Sequence, residues 1–327
     1  MKRKSKLMIM AMAALILGGA SMAQEQSSSK GKPIITIFGD AGVGFADGEI
    51  NALGFNLERA YLGYDYRFDD RWSAKVVYDM GRGDDTKLQR LGYVKNAELD
   101  YKNGNLSVKI GLTGTSQFNF QEKFWGYRYI RKSFQDEYKF GSSADLGVSA
   151  TFDFTERFSL DAVILNGEGY KKIQKNDGLN YGLGLTANPV GGFFIRAYGG
   201  INQGTEGEQK NTANLASFIG YKHDKFSLGA EFNQMWNTSF KDDEDKNGFS
   251  VYANVKMPKI SSIYVRFDDI FSKDDWNKSK DESNVIFGSQ FKVGKYVKLA
   301  PNVRLAMPKQ EGADNKWSAY INCSFGL

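Results

Sequence analysis

Four basic side chains lie close together in one aromatic-rich stretch of this 327-residue chain. The four are Lys123, Arg128, Arg131 and Lys132, and they are interspersed with Trp125, Tyr127 and Tyr129. An arginine is always charged, and its planar fork suits the oxygens of phosphate or carboxylate. In a water-poor constriction the field of these bases on a passing anion would be stronger than in bulk water. The chemistry that this stretch suggests is therefore the guidance of anions.

Acidic side chains in the same stretch allow a second interpretation. Glu122, Asp136 and Glu137 are close enough in sequence to form ion pairs with the bases. A ring of basic side chains is a known selectivity device, but its sequence signature is ambiguous. The residues alone leave both interpretations open.

The segments that must position this stretch alternate between apolar and polar residues. After Ala144, one parity carries Leu146, Val148 and Phe152, whereas the other carries Ser149 and Thr151. Successive side chains of a β-strand point to opposite faces, so the pattern predicts strands with one apolar and one polar face.

About sixteen segments share this alternation. They are residues 35–45, 59–68, 72–79, 93–101, 106–112, 145–154, 158–166, 179–187, 193–201, 214–221, 226–235, 249–257, 263–267, 285–293, 296–305 and 317–327. Short reversals alternate with longer polar connections, which is typical of an up-and-down barrel rather than a Greek-key sandwich. The sequence therefore predicts an all-β, transmembrane, antiparallel up-and-down β-barrel of about sixteen strands. Residues 113–143 are its third long loop, expected to fold back into the lumen.

The polar faces carry charges of both signs, which indicates a water-filled lumen and an apolar outer surface facing lipid. Arg59, Arg196 and Arg266 are the candidate lumen-wall residues, and Arg304 shares their face. Acids such as Asp40 and Asp161 lie on the same side, so we expect a weakly selective wall. No segment of the sequence suggests an apolar plug for the lumen.

The start of the chain has the pattern of an export signal. Four basic residues precede an apolar run from Leu7 to Leu17 and a small-residue site at Ser21-Met22-Ala23. This pattern predicts a signal peptide at residues 1–23, followed by a flexible segment at 24–32 and the barrel at 33–327. Removing 23 residues leaves 304 and lowers the formal net charge from +5 to about +1. A nearly neutral chain gives no reason to expect nucleic acid as a partner.

Other chemistry finds little support in the sequence. The single histidine, His223, falls in a tight reversal without a neighbouring serine, so we expect no enzyme activity. The acidic run from Lys241 to Lys246 lacks the spacing and central glycine of a calcium loop and is interpreted as a solvated loop tip. Cys323, the only cysteine, falls on the lipid side as a small apolar filler. We expect neither a metal nor a cofactor.

Three stretches resemble the phosphate-selective porin O and P family of bacterial outer-membrane porins. They are FNLERAYLGYDYRFDDRWSAKVVYDM, KNAELDYKNGNLSVKIG, and SADLGVSATFDF followed by LNGEGY, all within residues 55–170. The resemblance implies a sixteen-stranded barrel, commonly trimeric, that passes anions by means of basic residues in its constriction. Arg128, Arg131 and Lys132 lie in the corresponding loop, whereas the opening Gly111-Leu112-Thr113-Gly114 departs from the family's pattern.

The expected function is a passive outer-membrane channel for small hydrophilic solutes, with a mild preference for anions that extends to phosphate. The expected partners are outer-membrane lipid, those solutes and two further copies in a homotrimer. Two alternatives remain open at this point. One is a surface or adhesive protein built on a barrel, and the other is a soluble secreted β-sandwich.

Overall fold

Sixteen antiparallel strands form one closed barrel in the structure, which is a computed structural model. The structure describes residues 30–81, 91–258 and 261–327, so the predicted signal peptide at 1–23 lies outside the described residues. Each strand pairs with its neighbours in sequence, and β1 closes the barrel by pairing with β16. The predicted fold class is confirmed. Among the described residues, no helix is long and apolar enough to cross a membrane.

The strands follow the order of the chain around the barrel. They are β1 (Gly31–Ala46), β2 (Glu49–Arg67), β3 (Trp72–Gly81), β4 (Leu91–Asn103), β5 (Leu106–Gly114), β6 (Ala144–Thr155), β7 (Phe158–Leu165), β8 (Asn180–Val190), β9 (Phe193–Asn202), β10 (Thr212–Lys222), β11 (Phe226–Trp236), β12 (Lys246–Val255), β13 (Ser262–Ser272), β14 (Glu282–Val293), β15 (Val297–Pro308) and β16 (Lys316–Gly326). Two α-helices, α1 (Ser116–Trp125) and α2 (Phe134–Glu137), lie between β5 and β6. Short 3-10 turns lie at Thr238–Phe240, Lys273–Asp275 and Lys278–Lys280.

The first strand begins at Gly31, which is two residues before the predicted start of the barrel at 33 and four before the predicted strand at 35. Gly31 and Lys32 pair with Tyr66 and Asp65 of β2, so they belong to the barrel rather than to the predicted flexible segment at 24–32. Their polar character concealed this pairing, because the alternation of apolar residues starts only at Ile35.

The second strand is ten residues longer at its start than the alternation suggested. Residues 49, 50 and 52–57 pair with β1, and the register between the two strands shifts between Phe38 and Gly39 and again between Gly44 and Phe45. A bulge of this kind inserts one residue and changes the parity of the apolar side chains. Leu57 and Ala60 therefore fall at positions of opposite parity in the sequence, although both belong to β2.

The first connection is a two-residue turn, at the end of the barrel where the other described connections are longer. Asp47 and Gly48 have φ of 53° and 77°. Positive φ at both central residues is the requirement of the tight hairpin turns whose twist matches antiparallel strands, and Asp-Gly meets it.

The outer surface of the barrel is apolar. On β6, Leu146 is 49 % exposed and Val148 is 40 % exposed, whereas Ser149, the residue after Val148, is buried. Val148 lies beside Ile110 and Ile164, both also exposed. This is the facing that the alternation predicted.

The lumen is less polar than the sequence suggested. On β10–β14 the inward side chains include Phe218, Tyr252, Tyr264 and Ile286, all buried. They pack against aromatic residues of the segment between β5 and β6. The sequence suggested no apolar plug, and this aromatic contact occupies only one side of the lumen.

The facing of β6 predicts how the barrel tolerates charge. Replacing Val148 with Arg should cost about 2–4 kcal/mol of barrel stability, because a lipid-facing charge near the midplane is poorly solvated. The matched change Thr151→Arg, on the inward side of the same strand, should cost much less. Unfolding in urea, followed with protein inserted into lipid vesicles, measures both values. Equal losses in the two variants would contradict the assigned facing.

Candidate functional site

The segment between β5 and β6 runs through the lumen and is called the inner loop here (residues 115–143). Its helix α1 ends at Gly126, whose φ of 75° is the left-handed conformation that glycine adopts readily at a helix C-terminus. The chain then crosses the lumen as a tip, residues 127–133, which contains a turn in which the N–H of Ile130 donates to the carbonyl of Tyr127 at 2.8 Å, before α2 begins. Both ends are tied together, because Thr115 donates through its Oγ1 to the carbonyl of Ser142 at 2.6 Å.

Aromatic packing holds one side of the inner loop against the wall. The ring centroids of Phe124 and Phe218 lie 4.9 Å apart, and those of Trp125 and Tyr252 lie 5.0 Å apart. Tyr127 lies 4.8 Å from Tyr264 by the same measure. Such pairs add about 0.5–1.5 kcal/mol each beyond the burial of their surface. The inner loop therefore lies against β10–β13 and leaves the opposite side of the lumen more open.

Four basic wall residues, called the wall anchors here, donate hydrogen bonds to backbone carbonyls of the inner loop. Arg196 contacts the carbonyl of Ser116 at 2.8 Å, Arg266 that of Lys132 at 2.7 Å, Arg304 that of Ile130 at 2.9 Å, and Lys246 that of Tyr138 at 2.8 Å. Hydrogen bonds from charged donors are stronger than neutral ones. The course of the inner loop is therefore set by wall residues from four different strands.

The tip also reaches the wall through its own side chains. The hydroxyl of Tyr127 donates to Ser262 at 2.7 Å, and that of Tyr129 donates to Gln290 at 2.8 Å. On the opposite side, Arg128 donates to the hydroxyl of Tyr61 on β2 at 3.2 Å. The tip thus spans the lumen from β13 and β14 to β2.

Two of the predicted constriction bases are held in ion pairs. Arg128 lies 2.8 Å from Asp136 and 3.2 Å from Glu122. Burial by itself would raise the pKa of the Asp136 carboxyl, but the charge of Arg128 and nearby lysines lowers that pKa below its usual value. The carboxylate therefore stays ionised at neutral pH and compensates Arg128.

Arg131 is compensated in the same way, by carboxylates of both the inner loop and the wall. It lies 3.6 Å from Glu137 and 3.7 Å from Asp268 of β13. Burial disfavours the charged form of Arg131, yet these acids raise the pKa of its guanidinium overall. For Arg128 and Arg131 the structure has the ion-paired arrangement that the sequence left open.

The three candidate wall arginines face the lumen but are paired there. Arg59 lies 3.3 Å from Asp79, and Arg196 lies 2.6 Å from Asp161. Arg266 is 1 % exposed, lies 2.7 Å from Asp268 and packs over the ring of Trp125. Buried and compensated, Arg196 and Arg266 position the inner loop and do not present a free charge to solutes.

A cavity of about 390 Å³ lies between the tip and the wall strands β1, β2, β15 and β16. Its lining includes Asp40, Asn56, Glu58, Arg59, Arg128, Tyr129, Arg131, Lys132, Glu137, Arg304, Tyr320 and Asn322. Among the described residues, no carboxylate lies within ion-pair distance of Lys132 or Arg304. Likewise, no cation of the described residues lies within that distance of Asp40. Lys123, by contrast, is exposed in the last turn of α1 and does not line this cavity.

Arg304 and Asp40 are the residues that the sequence did not single out. Parity placed both on the lumen side, but it could not show that their charges stay uncompensated. Within the described ranges, no three His, Cys, Asp or Glu side chains come together as metal ligands would.

The buried contacts of Arg266 make it the clearest test of how the inner loop is held. Replacing it with Gln removes one partner of the buried carboxylate Asp268, a kind of loss that costs about 3–5 kcal/mol. We expect the inner loop to loosen while the barrel persists, so limited proteolysis in detergent should cut within residues 115–143 faster than in the wild type. Arg71→Gln, in an exposed turn, serves as the control. Equal resistance in both variants would contradict the anchoring role.

Solved structures with the same architecture cover nearly the whole chain. OprB of Pseudomonas putida, solved at high pH, has a TM-score of 0.73 at 12 % identity and covers 91 % of this chain and 94 % of that one. An anion-selective porin from Comamonas acidovorans has a TM-score of 0.68 at 9 % identity, with 91 % and 99 % covered. The trimer form of OmpT, an outer membrane protein of Vibrio cholerae, has a TM-score of 0.60 at 13 % identity, with 91 % and 100 % covered.

Sequence comparison adds nothing to these structures, since no family model and no curated protein matches the chain. Identities this low show the fold alone. The chain thus has the sixteen-stranded barrel fold of bacterial porins, which is the fold that its resemblance to the phosphate-selective porins implied.

Proposed function

We propose that this protein is a passive diffusion channel of a bacterial outer membrane, which admits small hydrophilic solutes with a mild preference for anions. The observation that carries the proposal is the charged cavity beside the inner loop, inside a barrel whose outer surface is apolar. Water and solutes require a polar path, and lipid requires an apolar band around it. The apolar outer surface fits the second need, and the charged cavity is the part of the lumen that supports the first.

The anion preference rests on which charges remain uncompensated at the cavity. Lys132 and Arg304 contribute two positive charges, and Asp40 contributes one negative charge, whereas Arg59, Arg128 and Arg131 are balanced by nearby acids. Glu58 also lines the cavity, but it is not without a partner. A few charges at a narrow point dominate which ions pass when the rest of the wall nearly cancels. The proposed preference is mild because the excess is small.

The placement in an outer membrane draws on the neighbours and on the sequence. One neighbour is described as an anion-selective porin and another as an outer membrane protein. A signal peptide at residues 1–23 would export the chain, and a closed barrel leaves no unpaired edge in lipid. Phosphate would be among the solutes admitted.

A non-channel surface or adhesive protein is the second candidate, but the described connections disfavour it. An adhesin on a barrel would present long outer loops. Here the long loop at 115–143 is directed inward, and the longest other described connection covers residues 166–179. Binding surfaces of that kind are therefore small in the described part of the chain.

Assembly into a homotrimer is part of the proposal. A shallow apolar groove of about 880 Å³ crosses the outer faces of six adjacent strands, and Phe55, Phe287 and Val303 line it. Phe55 is 91 % exposed in the single chain, so a second copy that covers this groove would remove a large apolar surface. The trimer form of one neighbour is consistent with this assembly.

The charge at Lys132 predicts a change in ion selectivity. With purified protein in a planar bilayer under a salt gradient, Lys132→Glu should move the zero-current potential toward cation preference. Arg128→Gln should move it less, because it changes the charge by one unit whereas Lys132→Glu changes it by two. The preference should weaken at 1 M salt, where screening shortens the reach of charges to about 3 Å.

The matched control for this measurement is Lys123→Glu, which changes the same charge outside the cavity. It should leave the zero-current potential close to that of the wild type. A protein that forms no conducting pore would contradict the channel, and equal shifts for Lys123 and Lys132 would contradict the placement of its selectivity.

Trimer assembly predicts the effect of a bulky change in the outer groove. Val303→Trp should lower the fraction of trimer measured by native mass in mild detergent, because the larger side chain prevents close approach of a second barrel. Ile164→Trp, on an exposed outer position away from the groove, should leave the trimer intact. A monomeric wild-type protein would contradict the proposed assembly.

A further inference from the structure

Opposite charges face the same cavity from two strands that are not neighbours. Asp40 lies on β1 and Arg304 on β15, and both line the cavity beside the tip. Between them runs β16, whose Asn322 is the direct partner of Asp40 in the β1–β16 register. Arg304 donates through Nη2 to the Oδ1 of Asn322 at 2.8 Å. The guanidinium and the carboxylate therefore lie at one height of the barrel, on either side of Asn322.

Neutral groups hold the guanidinium in place. Arg304 donates to the side-chain oxygens of Asn302 and Asn322, each at 2.8 Å, and to the carbonyl of Ile130 at 2.9 Å. It also stacks on the ring of Tyr320, 4.2 Å from its centroid. None of these partners carries a negative charge, so the position of Arg304 is fixed while its charge stays available.

The carboxylate is held in a similar manner. Asp40 accepts a hydrogen bond from the Nδ2 of Asn56 on β2 at 2.9 Å, and among the described residues no cation lies within ion-pair distance of it. Adjacent strands are about 4.8 Å apart, so β1 and β15 are separated by about 10 Å. Arg196 and Asp161 pair across β8, where the intervening residue is Gly184, but between Asp40 and Arg304 the larger Asn322 intervenes and accepts a hydrogen bond from Arg304.

A fixed pair of separated charges discriminates among solutes by their charge distribution. A neutral solute gains little from either group, and a simple anion is attracted by Arg304 but repelled by Asp40. A solute that carries both charges can direct its carboxylate at the guanidinium and its ammonium at Asp40, and both contacts are favourable. Lys132 on the tip adds a second positive charge to the lining of the cavity.

We propose that this cavity favours small zwitterionic solutes, of which free amino acids are the simplest class. The carboxylate of the solute binds at Arg304 and its ammonium group binds at Asp40 during passage. A cavity of about 390 Å³ has room for one such molecule together with water. This inference rests on the proposed channel function and specifies which solutes that channel favours.

The test compares two solutes of similar size in liposomes that contain the purified protein. Threonine is a zwitterion and erythritol is neutral, and the rate of osmotic swelling measures the entry of each. We expect threonine to enter at least about twofold faster than erythritol at low salt, and to lose this advantage at 1 M salt.

The variant Asp40→Asn separates this inference from simple anion preference. Removing one negative charge should move the zero-current potential further toward anions, and should at the same time lower the threonine rate to about that of erythritol. Asp224→Asn, in an exposed turn outside the cavity, removes the same charge and should change neither measurement. Arg304→Gln should also abolish the advantage of threonine.

The outcomes distinguish the two proposals. If erythritol itself does not enter, the channel function fails. If erythritol enters and threonine has no advantage, or if Asp40→Asn retains that advantage, the channel stands and the preference for zwitterions is overturned.

Discussion

The lumen of this barrel depends on the hydrogen bonds that the wall anchors donate to the backbone of the inner loop. Arg266 is the most buried of them, and it binds the carbonyl of Lys132 while pairing with Asp268 on its own strand. A buried guanidinium is costly unless its donors are used and its charge is balanced. Asp268 balances the charge of Arg266, and the Nη1 of Arg266 finds an acceptor only when the tip lies where the structure has it, which helps to specify the position of the inner loop.

This anchoring decides the electrostatics of the path. On the side where the inner loop packs, the anchors use their charged groups to bind the loop backbone, and the aromatic pairs exclude water. What remains for solutes is the opposite side, where the tip faces β1, β2, β15 and β16. Arg304 belongs to both regions, because it holds the carbonyl of Ile130 and still lines the cavity without an acidic partner. One residue thus couples the position of the tip to the charge that a solute meets.

The mixed charge of the lumen has a physical explanation in these contacts. Several inward bases have an acid on the next strand or on the one beyond it, as Arg59 has Asp79 on β3 and Arg196 has Asp161 on β7. Pairs of this kind satisfy groups that would otherwise be buried alone, and they contribute little to the field in the cavity. Selectivity is left to the few charges without partners, and their number is small enough for single substitutions to change it.

The sequence by itself determined the barrel, because the period of two in side-chain facing is a local property that survives in every strand. It also placed the inner loop, since 113–143 is the one long connection rich in aromatic residues. The alternation missed residues 49–58, where a bulge changes the parity. It also missed the start of β1, where Gly31 and Lys32 pair with β2 but carry no apolar side chain.

Only the tertiary structure decided which charges are free. The sequence pattern does not distinguish the paired bases from the free ones, because each is a base in the loop or on an inward face. The paired bases are Arg128, Arg131, Arg196 and Arg266, and the free ones are Lys132 and Arg304. Their difference arises because ion pairs such as Arg131 with Asp268 join residues far apart in the chain. Such contacts depend on which strands become neighbours and on how the inner loop folds across them, and neither can be read from local periodicity.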